Sequence, residues 1–207
     1  LSVQAVMAAD DAENEAPKLH YLPINAETGK AFGIKSGVYL FDETGKQAGF
    51  VPYEGADEVG QVRQSPQGHV LAIDGGTWVE RSWSFFSYPD LKSLAMVTYY
   101  QAEEPVPALL WDSDGGAFFN SVRTDDQSRT CDYDLCGPKS VKHISFLDGK
   151  ETTLIAGTDL CDYELAPPSA GQMYIGVRKL CLPSVDAWKT YPEDASRRVI
   201  KVRPPAA

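Results

Sequence analysis

Four glycine turns, each leading into a short apolar run, constrain this chain more than any other feature. They lie at Gly29, Gly68, Gly115 and Gly171. Glycine supplies the positive φ angle that tight hairpins require. An acidic turn between two further apolar runs follows each of them, at Asp42, Asp90, Asp148 and Asp194. The pattern predicts four copies of one small antiparallel sheet.

Each copy is expected to contain four strands joined in sequence order. The copies span about 19–53, 59–100, 107–157 and 161–203. In the first copy we expect a turn at Ala26–Gly29 followed by a second strand over Lys30–Ile34. In the fourth copy we expect a third strand over Asp186–Tyr191 and a fourth over Arg197–Arg203. No apolar stripe at helical spacing is long enough to predict a helix.

Short segments of the chain resemble β-propeller repeats. The stretch Gln64–Ile73 (QSPQGHVLAI) resembles the first hairpin of a propeller blade, and Trp111–Gly115 resembles a variant of it. Tyr88–Asp90 and Tyr191–Asp194 resemble the outer hairpin of a blade. Blades are repeats of about 40–50 residues with four antiparallel strands. The resemblance covers about 19–203 and is generic, without the motifs of a particular propeller family.

The fold that this resemblance implies is all-β: a small propeller of about four four-stranded antiparallel blades in one domain over 18–207. Four blades is the lower limit of propeller size. The sequence leaves two alternatives open. One is a β-sandwich with about the same number of strands, and the other is an open arc of blades that pairs with a second chain.

The charge of the chain limits its partners. The net charge is −10 and the pI is about 4.7, which argues against nucleic acid because phosphates require a basic surface. No apolar run approaches the roughly 20 residues of a membrane span. Residues 1–8 end in Val6-Met7-Ala8, which resembles the end of a signal peptide, and acidic residues follow up to Pro17. We therefore expect 1–17 to be a signal-peptide remnant and flexible leader, and the protein to be secreted or periplasmic.

Four cysteines fit such an oxidising compartment. Cys161 and Cys181 both lie ten residues from Gly171, so a hairpin turning there would place them opposite each other. Opposed residues of an antiparallel pair are close enough for a disulfide. Cys131 and Cys136 would then close a second disulfide within the long loop between the second and third strands of copy three. No histidine cluster accompanies the cysteines, so no metal site is predicted.

Acidic side chains collect in the loops that a propeller would place on one face. These loops join the second strand to the third and each blade to the next. The candidate ligand-binding residues there are Trp78, Asp125, Asp126, Asp132, Tyr133 and Asp134. Carboxylates in such loops can bind Ca²⁺. However, the loop from Asp112 to Gly116 lacks the later ligands of a calcium loop, so no cofactor is predicted.

Motifs for catalysis are sparse. The three histidines are His20, His69 and His143, and none is accompanied by a recognisable nucleophile motif. The sequence favours an exported, non-catalytic protein that presents its acidic loop face to a protein or small-molecule ligand. Two alternatives stay open: a hydrolase of glycosidic or ester bonds that uses carboxylates at the propeller axis, and a structural subunit that self-associates as a homodimer.

Overall fold

A computed structural model describes residues 19–53, 59–76, 81–99, 108–112, 115–122, 137–167, 174–189 and 198–202. Within these ranges the chain is all-β apart from one short α-helix, α1 (Ala26–Phe32), and one 3-10 helix, η1 (Val185–Lys189). The strands are β1 (His20–Ile24), β2 (Gly37–Phe41), β3 (Gln47–Val51), β4 (Gln61–Gln64), β5 (Val70–Gly76), β6 (Arg81–Ser87), β7 (Ser93–Tyr99), β8 (Leu109–Asp112), β9 (Gly116–Val122), β10 (Lys139–Ser145), β11 (Glu151–Ile155), β12 (Cys161–Leu165), β13 (Ile175–Cys181) and β14 (Arg198–Val202).

These strands form four antiparallel sheets, each built from one continuous stretch of chain. The strand orders are β1-β2-β3, β4-β5-β6-β7, β8-β9-β10-β11 and β12-β13-β14, which we number sheets 1 to 4. Strands that are adjacent in the sequence are therefore adjacent in each sheet. The predicted four antiparallel sheets are confirmed. Sheets 2 and 3 have the expected four strands, whereas sheets 1 and 4 have three.

Sheet 1 differs from the prediction because a helix replaces its expected second strand. The turn predicted at Ala26–Gly29 and the strand predicted over Lys30–Ile34 are both wrong, since α1 covers most of this segment. The side chain of Asn25 caps the helix by accepting a hydrogen bond from the Thr28 N–H at 2.7 Å. Gly33 ends it in the left-handed conformation, at φ 67°. Because of this helix, β1 pairs directly with β2.

Sheet 4 differs from the prediction at the connection between its second and third strands, β13 and β14. The third strand predicted over Asp186–Tyr191 is wrong in its described part, where η1 lies instead. Within η1, Trp188 is buried and its indole N–H donates to the Asp159 carbonyl at 2.9 Å. The strand predicted as the fourth, Arg197–Arg203, is β14, which pairs with β13 and so takes the third position.

The hairpins between the last two strands of sheets 1, 2 and 3 have the same length and share one backbone feature. They span 42–46, 88–92 and 146–150, so Asp42, Asp90 and Asp148 lie in turns as predicted. The fourth residue of each has positive φ: Gly45 at 80°, Leu91 at 55° and Gly149 at 67°. Among the predicted glycine turns, Gly68 and Gly115 lie in hairpin turns, whereas Gly29 lies in α1. Gly171 and Asp194 lie outside the described residues.

The chain forms two compact units with a boundary between Thr98 and Tyr99. In the N-terminal unit, Val38, Leu40 and Val51 of sheet 1 pack against Leu71 and Ile73 of sheet 2. All five side chains are buried. Burial of one such side chain contributes about 1.5–3 kcal/mol, so this contact fixes the two sheets face to face.

The C-terminal unit repeats that arrangement with sheets 3 and 4. Phe118 and Val141 of sheet 3 pack against Leu165, Ile175 and Val177 of sheet 4. These side chains too are fully or almost fully buried. Alternation along β13 explains the packing, because Ile175 and Val177 point to one face and the residues between them to the other.

Candidate functional site

Antiparallel strand order places every second connection of each unit at the same end of its sheets, which we call the loop end. In the C-terminal unit these connections are 123–138, 156–160 and 182–197. In the N-terminal unit they are 25–36, 52–60 and 77–80. The short hairpins lie at the other end, which we call the hairpin end.

The predicted binding residues belong to loop-end connections, but all of them lie outside the described residues. They are Trp78, Asp125, Asp126, Asp132, Tyr133 and Asp134, and the same holds for Cys131 and Cys136. The structure does show the strand ends from which these connections leave. Val122 pairs with Lys139 at the base of 123–138, and Gly76 pairs with Arg81 at the base of 77–80.

A buried ionic cluster lies at the base of connection 123–138. Lys139, the first residue of β10, is only 5% exposed. Its ammonium group lies 3.5 Å from Glu164 Oε1, and its backbone N–H donates to Asp162 Oδ1 at 2.9 Å. Both carboxylates belong to β12, so the cluster ties sheet 3 to sheet 4. We call Lys139, Asp162 and Glu164 the ionic anchor.

Neutral hydrogen bonds extend the ionic anchor. The side-chain oxygen of Asn120, on β9, accepts from the Leu165 N–H at 2.8 Å. Ser140 Oγ accepts from the Gly157 N–H, also at 2.8 Å. Gly157 must be glycine here, because a Cβ would collide with the backbone of Lys139. Side chains therefore satisfy backbone groups between β12 and the loop ends of β9 and β10.

The N-terminal unit has a second buried ion pair at its loop end. Asp74, on β5, is 1% exposed and receives two hydrogen bonds from Arg81, the first residue of β6. Arg81 Nη2 lies 2.6 Å from Asp74 Oδ2, and Arg81 Nε lies 3.1 Å from Oδ1. This is the planar two-point geometry in which arginine binds carboxylates most strongly. Gly60 packs against the pair, since a Cβ there would collide with the Arg81 guanidinium.

The two ionic sites occupy equivalent places in sheets 2 and 3. Arg81 and Lys139 both open the third strand, and Asp74 and Asn120 both lie two residues before the end of the second. Arg81 of sheet 2 pairs with Asp74 of the same sheet, whereas Lys139 of sheet 3 pairs with Glu164 of sheet 4. Sequence reasoning missed all four residues. The sequence feature that could have indicated them is a basic residue directly after the second-to-third connection in each of the two sheets.

Asp162 illustrates how burial changes the role of a loop-end acid. It lies at the start of β12, directly after the loop-end connection 156–160. It is 4% exposed and accepts the Lys139 N–H. Asp162 therefore supports the strands rather than offering a carboxylate to solvent.

The predicted disulfide between Cys161 and Cys181 is present, between directly opposed residues of β12 and β13. A backbone bond from the Leu182 N–H to the Leu160 carbonyl, at 2.9 Å, continues the pairing beyond it. The disulfide thus closes the loop end of sheet 4, beside the strand that carries the ionic anchor.

Two further features lie at the hairpin end. His143 Nε2 is 2.9 Å from Asp112 Oδ2, and the imidazole packs on the Phe118 ring with centroids 4.7 Å apart. Hydrogen bonds lower the pKa of two exposed turn carboxyls below the usual value. The principal donor is the Thr44 side chain for the pKa of Asp42 and the Ser145 side chain for the pKa of Asp148.

Metal binding has no support within the described ranges, which contain no group of three or more His, Cys, Asp or Glu side chains arranged to hold an ion. Of the loop-end acids that are described, Asp74, Asp162 and Glu164 each bind a cation or backbone amide of the protein itself. Chemically, these groups position strand ends. No helix among the described residues is long and apolar enough to cross a membrane.

Comparisons with known proteins give no family. No protein-family model matches the chain, and no curated protein matches it. Among solved structures, one match comes from a structural and mechanistic analysis of two prolyl endopeptidases, with 10% sequence identity and a TM-score of 0.41. The match covers 84% of this chain but 26% of the other. At this TM-score the likeness carries no conclusion about the fold or activity of this chain.

Proposed function

We propose that this chain is an exported binding protein of the small-propeller type, whose loop end presents acidic residues to a positively charged ligand. Connection 123–138 is the centre of the proposed site, with Asp125, Asp126, Asp132 and Asp134 as its acids and Tyr133 as its aromatic contact. Trp78, in the N-terminal unit, stays a separate candidate for ligand contact. Three observations support the proposal: four consecutive antiparallel sheets, a net charge of −10 and the Cys161–Cys181 disulfide.

The ionic anchor is the observation that carries the proposal. Burying a charged pair costs desolvation energy, so an apolar contact would hold two sheets at least as well. Here the pair lies where an acidic connection returns to the sheet, and the Asp162 carboxylate accepts the backbone N–H of Lys139 at that point. Functional loops are commonly held by a rigid scaffold in this manner. An ionic anchor at the base of a polar connection is more typical of a binding site than of a contact that serves only to hold two sheets together.

The test is calorimetric titration of the full chain with an octa-arginine peptide at low ionic strength. The variant Asp125→Asn/Asp126→Asn removes two charges from the proposed site. Its matched control, Glu43→Gln/Asp90→Asn, removes two exposed charges at the hairpin end of the N-terminal unit. We expect the first variant to weaken binding at least about tenfold, equivalent to about 1.4 kcal/mol, and the control to weaken it less than twofold.

Equal losses in the two variants would mean that the peptide responds only to net charge, and the proposed site would be wrong. Absence of binding to the unmodified chain would contradict the proposal more broadly. Turnover of a glycoside or ester substrate, abolished by a single carboxylate substitution, would instead establish the hydrolase alternative. An experimental structure with four blades around one axis would establish the propeller.

A further inference from the structure

Basic side chains cluster on sheet 4 of this acidic protein. Four of them lie on two neighbouring strands: Arg178 and Lys179 on β13, and Arg198 and Lys201 on β14. The strand register divides them between the faces of the sheet. Lys179 and Arg198 are directly opposed and share one face, whereas Arg178 and Lys201 lie on the other. The pair of directly opposed cations requires a physical explanation.

Tyr163 completes a row across three strands with these two cations. It is directly opposite Lys179 on β12, and the Lys179 ammonium lies 5.8 Å from the centroid of its ring. We call Tyr163, Lys179 and Arg198 the basic row. Tyr163 and Lys179 are half-buried and Arg198 is exposed. Among the described residues, neither cation forms an ion pair with an acid.

The arrangement is unfavourable for the chain on its own. Like charges directly opposite each other in an antiparallel sheet destabilise the pairing. Neighbouring strands are about 4.8 Å apart, so the two cationic residues start from adjacent backbone positions, in a protein that has abundant acids elsewhere. An anion bound between them would remove the repulsion. Residues that lower stability while presenting charge are typical of binding surfaces.

The row is also rigid. The Cys161–Cys181 disulfide occupies the next row on the same face, because each cysteine is two residues from its neighbour in the basic row. Val177 and Leu165, two residues away in the other direction, are part of the buried core between sheets 3 and 4. A preorganised pair of donors loses less entropy when it binds a ligand.

We propose that the basic row is a docking site for an acidic peptide segment, with one carboxylate bound between Lys179 and Arg198. Arginine offers a planar set of donors to a carboxylate, and lysine adds a point charge. The Tyr163 ring attracts the Lys179 ammonium through a cation–π contact. A long nucleic acid is disfavoured, because the net charge of −10 would repel an extended polyanion. This site consists of side chains of sheet 4 rather than of connection 123–138, and its partner has the opposite charge to the ligand of the proposed function.

The experiment is a titration of the full chain with a fluorescent hexaglutamate peptide, with a hexaglutamine peptide for comparison. The variants are Lys179→Gln and Arg198→Gln. Lys201→Gln is the matched control, because it removes the same charge from β14 on the opposite face. We expect each row variant to weaken hexaglutamate binding about tenfold, and the control to change it less than twofold.

Thermal unfolding of the same variants separates binding from a structural role. Removal of one cation relieves the repulsion, so the Tm of each row variant should equal or exceed that of the unmodified chain. A lower Tm in both row variants would show that the row stabilises the sheet, and would overturn the proposal. Equal affinity for hexaglutamine, an equal loss in Lys201→Gln, or equal affinity for an oligothymidylate of the same charge would overturn it as well.

Discussion

Replacing Lys139 by methionine tests whether the ionic anchor holds sheets 3 and 4 together. Methionine has nearly the same length, so the substitution removes the charge while leaving the volume almost filled. Glu164 would then be a carboxylate that is 9% exposed and has lost its cation 3.5 Å away. Breaking a buried pair by removing one partner costs about 3–5 kcal/mol. The ammonium–carboxylate distance is longer than ideal, so we expect the lower end, about 3 kcal/mol.

The matched control is Lys142→Met on the same strand. Lys142 pairs with Glu151 at 3.1 Å, but their side chains are 31% and 41% exposed. Such a pair contributes about 0–1 kcal/mol. Urea unfolding followed by circular dichroism measures both variants. The double variant Lys139→Met/Glu164→Gln should recover part of the loss, because a neutral amide costs less to bury than a carboxylate. If Lys139→Met costs no more than Lys142→Met, the anchor is not a stabilising contact.

Three further predictions concern the turns and the disulfide. Gly45→Ala should cost about 1–2 kcal/mol in thermal unfolding, because φ is 80° with open space around the site and the cost is purely conformational; an unchanged Tm would contradict the turn geometry. The folded pKa of Asp148 is lowered from 3.8, so its contribution should be complete above that value and disappear as pH falls through the folded pKa. Asp148→Asn should flatten the acid limb of the pH–stability profile, and an unaltered acid limb would contradict the assignment. Reduction of the Cys161–Cys181 disulfide, whose cysteines are 20 residues apart, should cost about 3 kcal/mol in urea unfolding, and an unchanged unfolding midpoint on reduction would contradict its stabilising role.

Much of the scaffold could be predicted because its signals are local. The hairpins with Asp42, Asp90 and Asp148 are each encoded in a short stretch, where the side chain of Asp42, Ser87 or Asp148 accepts a hydrogen bond from a backbone N–H of the same hairpin. Cys161 and Cys181 could be paired because a hairpin fixes which residues are opposed. In both cases the determining interaction is contained in a short stretch of sequence.

The two errors in secondary structure have a common physical cause. The glycine pattern predicts a turn at Gly29, but Asn25 provides a helix cap four residues earlier and the segment between them has no β-branched run. The sequence predicts a strand that includes Trp188, but its indole instead reaches the Asp159 carbonyl in a different connection. Glycine and tryptophan are compatible with several conformations, and here a cap or a distant contact decides between them.

The ionic contacts at the loop ends could not be predicted for a different reason. Lys139 meets Glu164 only because β10 and β12 lie next to each other across two sheets. Arg81 meets Asp74 across a connection whose length gives no indication of their pairing. One of the 19 basic residues and one of the 29 acidic ones cannot be matched by composition or spacing alone.

The most direct test of the proposed binding site is hydrogen–deuterium exchange of the full chain with and without the octa-arginine peptide. We expect the peptide to protect backbone amides of 123–138, next to the ionic anchor, from exchange. We expect no such protection in the turns at 42–46 and 146–150, which lie at the hairpin end. Protection concentrated in those turns, or none in 123–138 at saturating peptide, would contradict the central claim that the loop end binds a positively charged ligand.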